Sequence, residues 1–183
     1  MEITKAINDS KVLRFIITAF IGTIFLTISA KIKIPFYPVP MTMQTFVVLF
    51  MGIAFGWKIG VATVSLYLFE GIIGLPVFSG TPEKGLGLIY FTGPTMGYLI
   101  GFLFASFFAG YMSLNTNYLF IFFKLIFSVS LIYILGMLWL GNLIGWDKPI
   151  FSIGATPFLL AELFKIILLT LLTKVIVNLR KFI

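Results

Sequence analysis

The chain reads as an all-α integral membrane protein, with six transmembrane helices in a single membrane domain over residues 1–183. Two observations predict this. Hydrophobic residues make up 60% of the chain and charged residues only 10%. Soluble domains carry about 25% charged residues, so this chain cannot cover a water-facing surface. The apolar residues also gather into six stretches, at about 12–31, 41–56, 58–74, 93–112, 118–141 and 155–178.

The first stretch follows Lys5, Lys11 and Arg14, which resembles the start of a secretory leader. Ile28 and Ala30 do not form a small-x-small cleavage site, and apolar segments continue downstream, so it reads as the first membrane helix. It ends at Lys31–Pro40, where Pro35, Pro38 and Pro40 forbid continuous helix and favour extended backbone. The second and third stretches are short against the ~20 residues a span needs. A tight turn at Gly56-Trp57-Lys58 divides them. A longer loop runs from Pro76 to Gly87, through Gly80, Pro82 and Gly85. Asn115-Thr116-Asn117 and Gly145–Pro149 separate the last three stretches. Glycines recur every fourth residue at Gly52, Gly56 and Gly60, and again at Gly93, Gly97 and Gly101. Small residues at that interval let helix backbones approach closely, and internal bundle packing is their commonest use.

Six spans put both termini on one side of the bilayer. Eight basic residues fall on that side: Lys5, Lys11, Arg14, Lys58, Lys124, Lys174, Arg180 and Lys181. The opposite side has four: Lys31, Lys33, Lys84 and Lys148. Positive charge in short loops stays in the cytoplasm, so the termini should be cytoplasmic and the Pro-rich, Gly-rich and Asp147 loops outward. The net charge of +7 reflects this topology rather than nucleic-acid binding, because the basic residues are scattered.

The residue inventory argues against an enzyme. With no cysteine and no histidine, thiolate chemistry, imidazole-held zinc and a Ser-His-Asp triad are excluded. No phosphate-binding G-x-x-x-x-G-K-[S/T] loop occurs; Gly80–Gly85 lacks its spacing. The six acids, Glu2, Asp9, Glu70, Glu83, Asp147 and Glu162, are too dispersed to gather magnesium. Nothing here gives reason to expect a cofactor or metal.

Recognition chemistry is better supplied. Glu162 and Lys165 lie three residues apart within Pro157–Leu172, on one helix face. Each ionisable group costs roughly 2.5–3.5 kcal/mol at a membrane-helix centre. If the helix starts near Pro157, the pair sits about 8–12 Å along it at ~1.5 Å per residue, in the outer half of the bilayer. Either the two neutralise each other or together they hold something polar. Gln44, just inside the second stretch, offers both a donor and an acceptor. Glu70 can snorkel to the interface or touch a ligand. Tyr90, Tyr98, Trp57 and Trp146 read by default as interfacial anchors. In the first stretch Thr18/Gly22, Ala19/Thr23 and Thr23/Thr27 make a small-residue ridge that packs internally or meets a partner.

Several segments, in this order and spacing, carry a resemblance: Ile34–Thr45, Gly74–Gly80, Gly85-Leu86-Gly87, Gly93–Phe102 and Pro157–Lys165. Together they resemble the BioY family, biotin-specific S-components of energy-coupling-factor (ECF) transporters, over about residues 10–178. The resemblance implies an S-component-like bundle in a bacterial inner membrane, with a biotin site roofed by the first and third outward loops. It implies as partners a transmembrane coupling subunit and ATPase subunits. Around the ligand it implies Met41, Gln44, Phe78, Ser79, Gly80, Tyr98, Glu162 and Lys165, with Lys84 a lesser candidate for the carboxylate. The expected bonds are a ureido N–H to Glu162 and Lys165 to the ureido oxygen. The chain departs from the family pattern in two places. Leu160-Ala161-Glu162 stands where Pro-Gly-Asp is usual. The Ala-x-x-x-Ala partner face of helix one survives only as Ala19/Thr23 and Thr18/Gly22. A stand-alone biotin carrier, and more remotely a membrane enzyme on a lipid substrate, are the competing readings.

Overall fold

The computed structural model describes residues 10–113 and 116–182 and is mostly helical. Lys5 and Asn115, used above for topology and for one segment break, lie outside the described residues.

Helix α1 spans Lys11–Lys31 and starts where the Ser10 side chain accepts from the Leu13 N–H at 3.2 Å. It stops as Ile32 turns extended. A two-stranded antiparallel hairpin follows, β1 (Lys33–Ile34) pairing with β2 (Met41–Thr42), Lys33 opposite Thr42 and Ile34 opposite Met41. The hairpin brackets the proline-rich residues, so they form a loop held at both ends rather than an unpaired linker. The Met43 N–H adds bonds to the Ser29 and Ile32 carbonyls, tying the hairpin base to α1.

Helices α2 (Gln44–Phe55) and α3 (Trp57–Ile72) are joined by Gly56 alone, at φ 82°, which a side chain would strain. Eight of the twelve α2 residues are buried, so α2 is the innermost helix, touching α1, α3 and later helices. At ~1.5 Å per residue it is only about 18 Å long; its neighbours enclose it. A 3₁₀ helix over Gly87–Thr92 leads to α4 (Met96–Tyr111), then α5 (Tyr118–Ile144), a short α6 (Ile150–Gly154), α7 (Thr156–Ile176) and a closing 3₁₀ helix over Val177–Phe182. Of these, α1 and α5 are long and apolar enough to cross a membrane by length and composition; α2 and α4 are shorter apolar helices. The hairpin, α6 and both 3₁₀ helices are additions to the sequence reading.

The glycine spacing works inside the bundle. A Cβ on Gly97 would stand 2.3 Å from the Leu135 carbonyl oxygen, and one on Gly101 2.6 Å from Ile132 Cα, so both set the approach of α4 to α5. Gly52 and Gly60 play the same part where α2, α3 and α4 converge on Ser106.

The Ala19/Thr23 part of the ridge on α1 points inward as well. Ala19 and Thr23 are buried, and the Thr23 hydroxyl donates to Glu70 Oε1 at 2.9 Å. That corrects their assignment as partner-facing residues: small side chains here serve close packing against α3. Glu70 is likewise buried rather than snorkelling. Large apolar side chains such as Phe20, Phe25, Phe123, Phe164 and Leu171 face outward instead.

Candidate substrate-binding site

The N-terminal turn of α2, the Gly-rich loop and helices α4, α5 and α7 enclose a cavity of about 50 Å³. Met41, Gln44, Ser79, Tyr98 and Glu162, five of the residues singled out from sequence, line it. Tyr90, Thr95, Phe102, Tyr133 and Phe158 supply much of the remaining wall.

The charge pair is a network of four groups. Lys165 Nζ donates to Glu162 Oε1 at 2.7 Å, to the Thr42 carbonyl at 2.6 Å and to Thr45 Oγ1 at 3.0 Å. Thr45 donates in turn to the same Glu162 Oε1 at 2.9 Å. All three ammonium protons therefore have acceptors. Thr42 precedes α2 and Thr45 lies in its first turn, so a strand carbonyl and a helix hydroxyl on either side of Gln44 both accept from Lys165. Glu162 Oε2 is buried and makes no hydrogen bond within the described residues. The Tyr133 hydroxyl is near this carboxylate, which keeps acceptor capacity for a further donor. Lys165 itself does not line this cavity. Its donors go to Thr42, to Thr45 of α2 and to Glu162.

A second unpaired group comes from the Gly-rich loop. Ser79 Oγ is buried without a partner among the described residues, while its carbonyl accepts from the Tyr90 hydroxyl at 2.8 Å. Burial pushes the Tyr90 phenol above its ordinary pKa, so it remains a donor at neutral pH. Lys31, at the end of α1, donates to the carbonyls of Pro76 and Phe78 at 2.8 and 3.0 Å, and to both oxygens of Thr81. The loop that carries Ser79 is thus pinned by one ammonium group. Nothing in the linear sequence marks Lys31 for this work; as a loop-flanking lysine it read only as a topology charge.

Phe78 and Gly80 stand behind the wall rather than on it. The Phe78 ring stacks on Tyr90 at 4.7 Å and meets the edges of Tyr67 and Phe91. Their adjacency to Ser79 in sequence does not bring them to the cavity, because the loop turns at Gly80 (φ 79°). Gln44 donates to the Tyr67 hydroxyl at 2.8 Å, and Tyr67 donates to the Val77 carbonyl. Tyr98 donates to the Gly154 carbonyl at 2.8 Å, which orients its ring along the wall. Tyr90 and Tyr98 are therefore interior residues, not interfacial anchors.

Helices that enclose a small cavity with one member of a buried ion pair on its wall, under structured loops, suit a substrate-binding component of a membrane transporter. The fold matches a crystal structure of the S-component for biotin from an ECF-type ABC transporter, with a TM-score of 0.76 over 94% of each chain and 26% identity. The BioY family model matches residues 3–182, and the chain belongs to the BioY family. Among its relatives are a probable biotin transporter BioY from Pyrococcus horikoshii, 33% identical over 139 residues (76% of this chain, 81% of that protein). The biotin transporter BioY of Thermotoga maritima is 32% identical over 161 residues (87% of this chain, 94% of that protein).

Proposed function

We propose that this chain takes up biotin, as the substrate-binding S-component that captures the vitamin at the outer face of the cell membrane. In this reading α1–α5 and α7 are six spans, both termini are cytoplasmic, and delivery depends on a transmembrane coupling subunit with ATPase subunits.

The observation that carries the reading is the pair of unpartnered buried polar atoms, Glu162 Oε2 and Ser79 Oγ, on the wall of one cavity. Biotin's ureido ring presents two N–H donors and a carbonyl, its thioether ring and valeryl chain are apolar, and its tail is a carboxylate. Glu162 Oε2 accepts a ureido N–H, a charge-assisted bond roughly twice as strong as a neutral one. Ser79 Oγ donates to the carboxylate, and Met41, Tyr98 and Phe158 flank the apolar body. Lys165 holds Glu162 in place; it reaches the ureido oxygen only by releasing one of its three acceptors. At about 50 Å³ the cavity falls well short of the ~300 Å³ at the lower end for small-molecule sites, so binding includes outward movement of a wall.

Equilibrium binding of biotin to the purified chain tests this, with dethiobiotin and lipoate as comparators. Dethiobiotin keeps the ureido group and should bind; lipoate lacks it and should not. Tight lipoate binding without biotin binding would overturn the assignment.

A further inference from the structure

A second chamber, of about 330 Å³, lies against the first. Tyr90 and Thr95 belong to the walls of both, so the two cavities share a partition. Tyr37, Pro38, Leu143 and Lys84 complete much of the second chamber, and Tyr37, on the Pro-rich loop, is 94% exposed. The chamber is therefore the more outward of the two.

Lys84 is the single charged residue on its wall. The Lys84 N–H donates to the Gly80 carbonyl at 2.8 Å, and its aliphatic stem lies over Gly80, within 2.9–3.2 Å of where a Cβ would stand. The loop beneath is the one pinned by Lys31, which fixes the origin of the Lys84 side chain. Among the described residues Lys84 is not in a salt bridge. Lys33, on β1, lies within electrostatic reach of it, and the Lys84 ammonium is held below the ordinary lysine pKa by the partial desolvation of a largely exposed side chain and then by Lys33. Two acids share this face. Glu83 acts on Lys31, and Asp147 is already paired with Lys148 at 3.2 Å. The rim keeps an excess of positive charge beside an apolar chamber.

We propose that the outer chamber is an anion-capture vestibule, in which Lys84, backed by Lys33, draws a carboxylate-bearing substrate toward the inner cavity. The inference rests on the biotin reading above and extends it from the binding site to the route of approach. A low-dielectric cleft lined by one sign of charge focuses the field on an oppositely charged solute. The lysines are exposed, so salt screens them beyond about 10 Å at ~0.1 M. Their effect falls on the association rate more than on the final complex, where Glu162 and Ser79 make the contacts.

The test is stopped-flow association with the full chain in nanodiscs of zwitterionic lipid, using biotin and its uncharged alcohol, biotinol. Lys33→Gln, Lys84→Gln and the double variant are compared with Lys84→Arg and with Lys58→Gln, outside the chamber. The double variant should slow biotin association by about three- to tenfold at low ionic strength and flatten its salt dependence. Biotinol association and the biotin dissociation rate should stay unchanged, and Lys84→Arg should behave as wild type. Equal slowing of biotin and biotinol would overturn the vestibule, since it would mark a structural role. So would a double variant with the wild-type biotin rate and salt dependence. If wild-type chain binds neither compound, the biotin reading falls with it; tight biotin binding with silent lysine variants removes the vestibule alone.

Discussion

Lys165 donates to Glu162 Oε1 across 2.7 Å, while the other oxygen of this cavity-lining carboxylate, Oε2, is buried without a hydrogen bond among the described residues. One oxygen is used to hold the group and the other is left to bind. Mutual neutralisation and ligand binding, posed by the sequence as alternatives, are compatible because a carboxylate has two oxygens.

Glu162→Gln keeps the side-chain volume but replaces a charge-assisted acceptor by a neutral one. Hydrogen bonds to charged groups contribute about 1.5–3 kcal/mol, so biotin affinity should fall roughly ten- to hundredfold. Isothermal titration in detergent measures this; a Kd within twofold of wild type would remove Glu162 from the site.

Lys165→Met should cost more stability than Glu162→Gln, because it strands a buried carboxylate. Breaking a buried pair from one side typically costs about 3–5 kcal/mol. In the double variant Glu162→Gln/Lys165→Met neither charge remains, and part of the lost thermal stability should return. Additive losses across this cycle would show that the pair is not coupled.

Thr45 bridges the pair, accepting from Lys165 and donating to Glu162. Thr45→Val keeps the shape and removes both bonds, so it should lower stability by about 1–2 kcal/mol and weaken biotin binding by allowing the carboxylate to rotate. Thr45→Ser should retain most of both. Equal damage from Ser and Val would assign the effect to packing instead.

The order of helices was legible in the sequence because apolar runs in this chain are long and their breaks are chemically sharp. Gly56 and the prolines between Lys31 and Pro40 are examples. Glu162, Lys165 and Gln44 stood out in the sequence because polar groups in apolar stretches are costly; of these, Glu162 and Gln44 line the cavity. Thr45 and Tyr133 were not legible: one is a threonine among apolar residues, the other a tyrosine in a long apolar helix, and neither stands out until α2, α5 and α7 meet. Phe78 and Gly80 do not line the cavity, for the converse reason. Neighbours in sequence of a lining residue, they leave the wall where the loop reverses, and Phe78 becomes the support under Tyr90.

Gly136 holds the cavity wall in shape. A Cβ there would stand 2.4 Å from the Tyr98 ring, so Gly136→Ala must push the ring aside and strain its bond to Gly154. Overpacking of this kind costs about 1–3 kcal/mol. Biotin binding should weaken several-fold, and the paired variant Gly136→Ala/Tyr98→Leu, which removes the obstructed ring, should regain thermal stability. No recovery in the pair would mean that the clash lies elsewhere.

Arg180 closes the opposite end of the bundle. The sequence offered it only as a topology charge, yet its Nε donates to the Ile53 carbonyl at 2.9 Å. Its Nη2 donates to the carbonyls of Gly52 and Gly110 at 3.2 and 3.1 Å. These carbonyls sit in the last turns of α2 and α4, where intrahelical donors run out and the helix dipole favours a cation. One guanidinium therefore caps two helices that a glycine-lined contact already brings together. Arg180→Ala should lower thermal stability by about 2–3 kcal/mol, and ending the chain after Ile176 should do the same. Arg180→Lys should recover only part of it, because a point charge with a tetrahedral head does not reproduce a planar fork reaching two helix ends. Biotin affinity at temperatures below unfolding should be little changed, since the cap lies away from the cavity. Full rescue by lysine would show that charge alone matters, and an unchanged melting temperature for the alanine variant would show that these bonds do not hold the bundle closed.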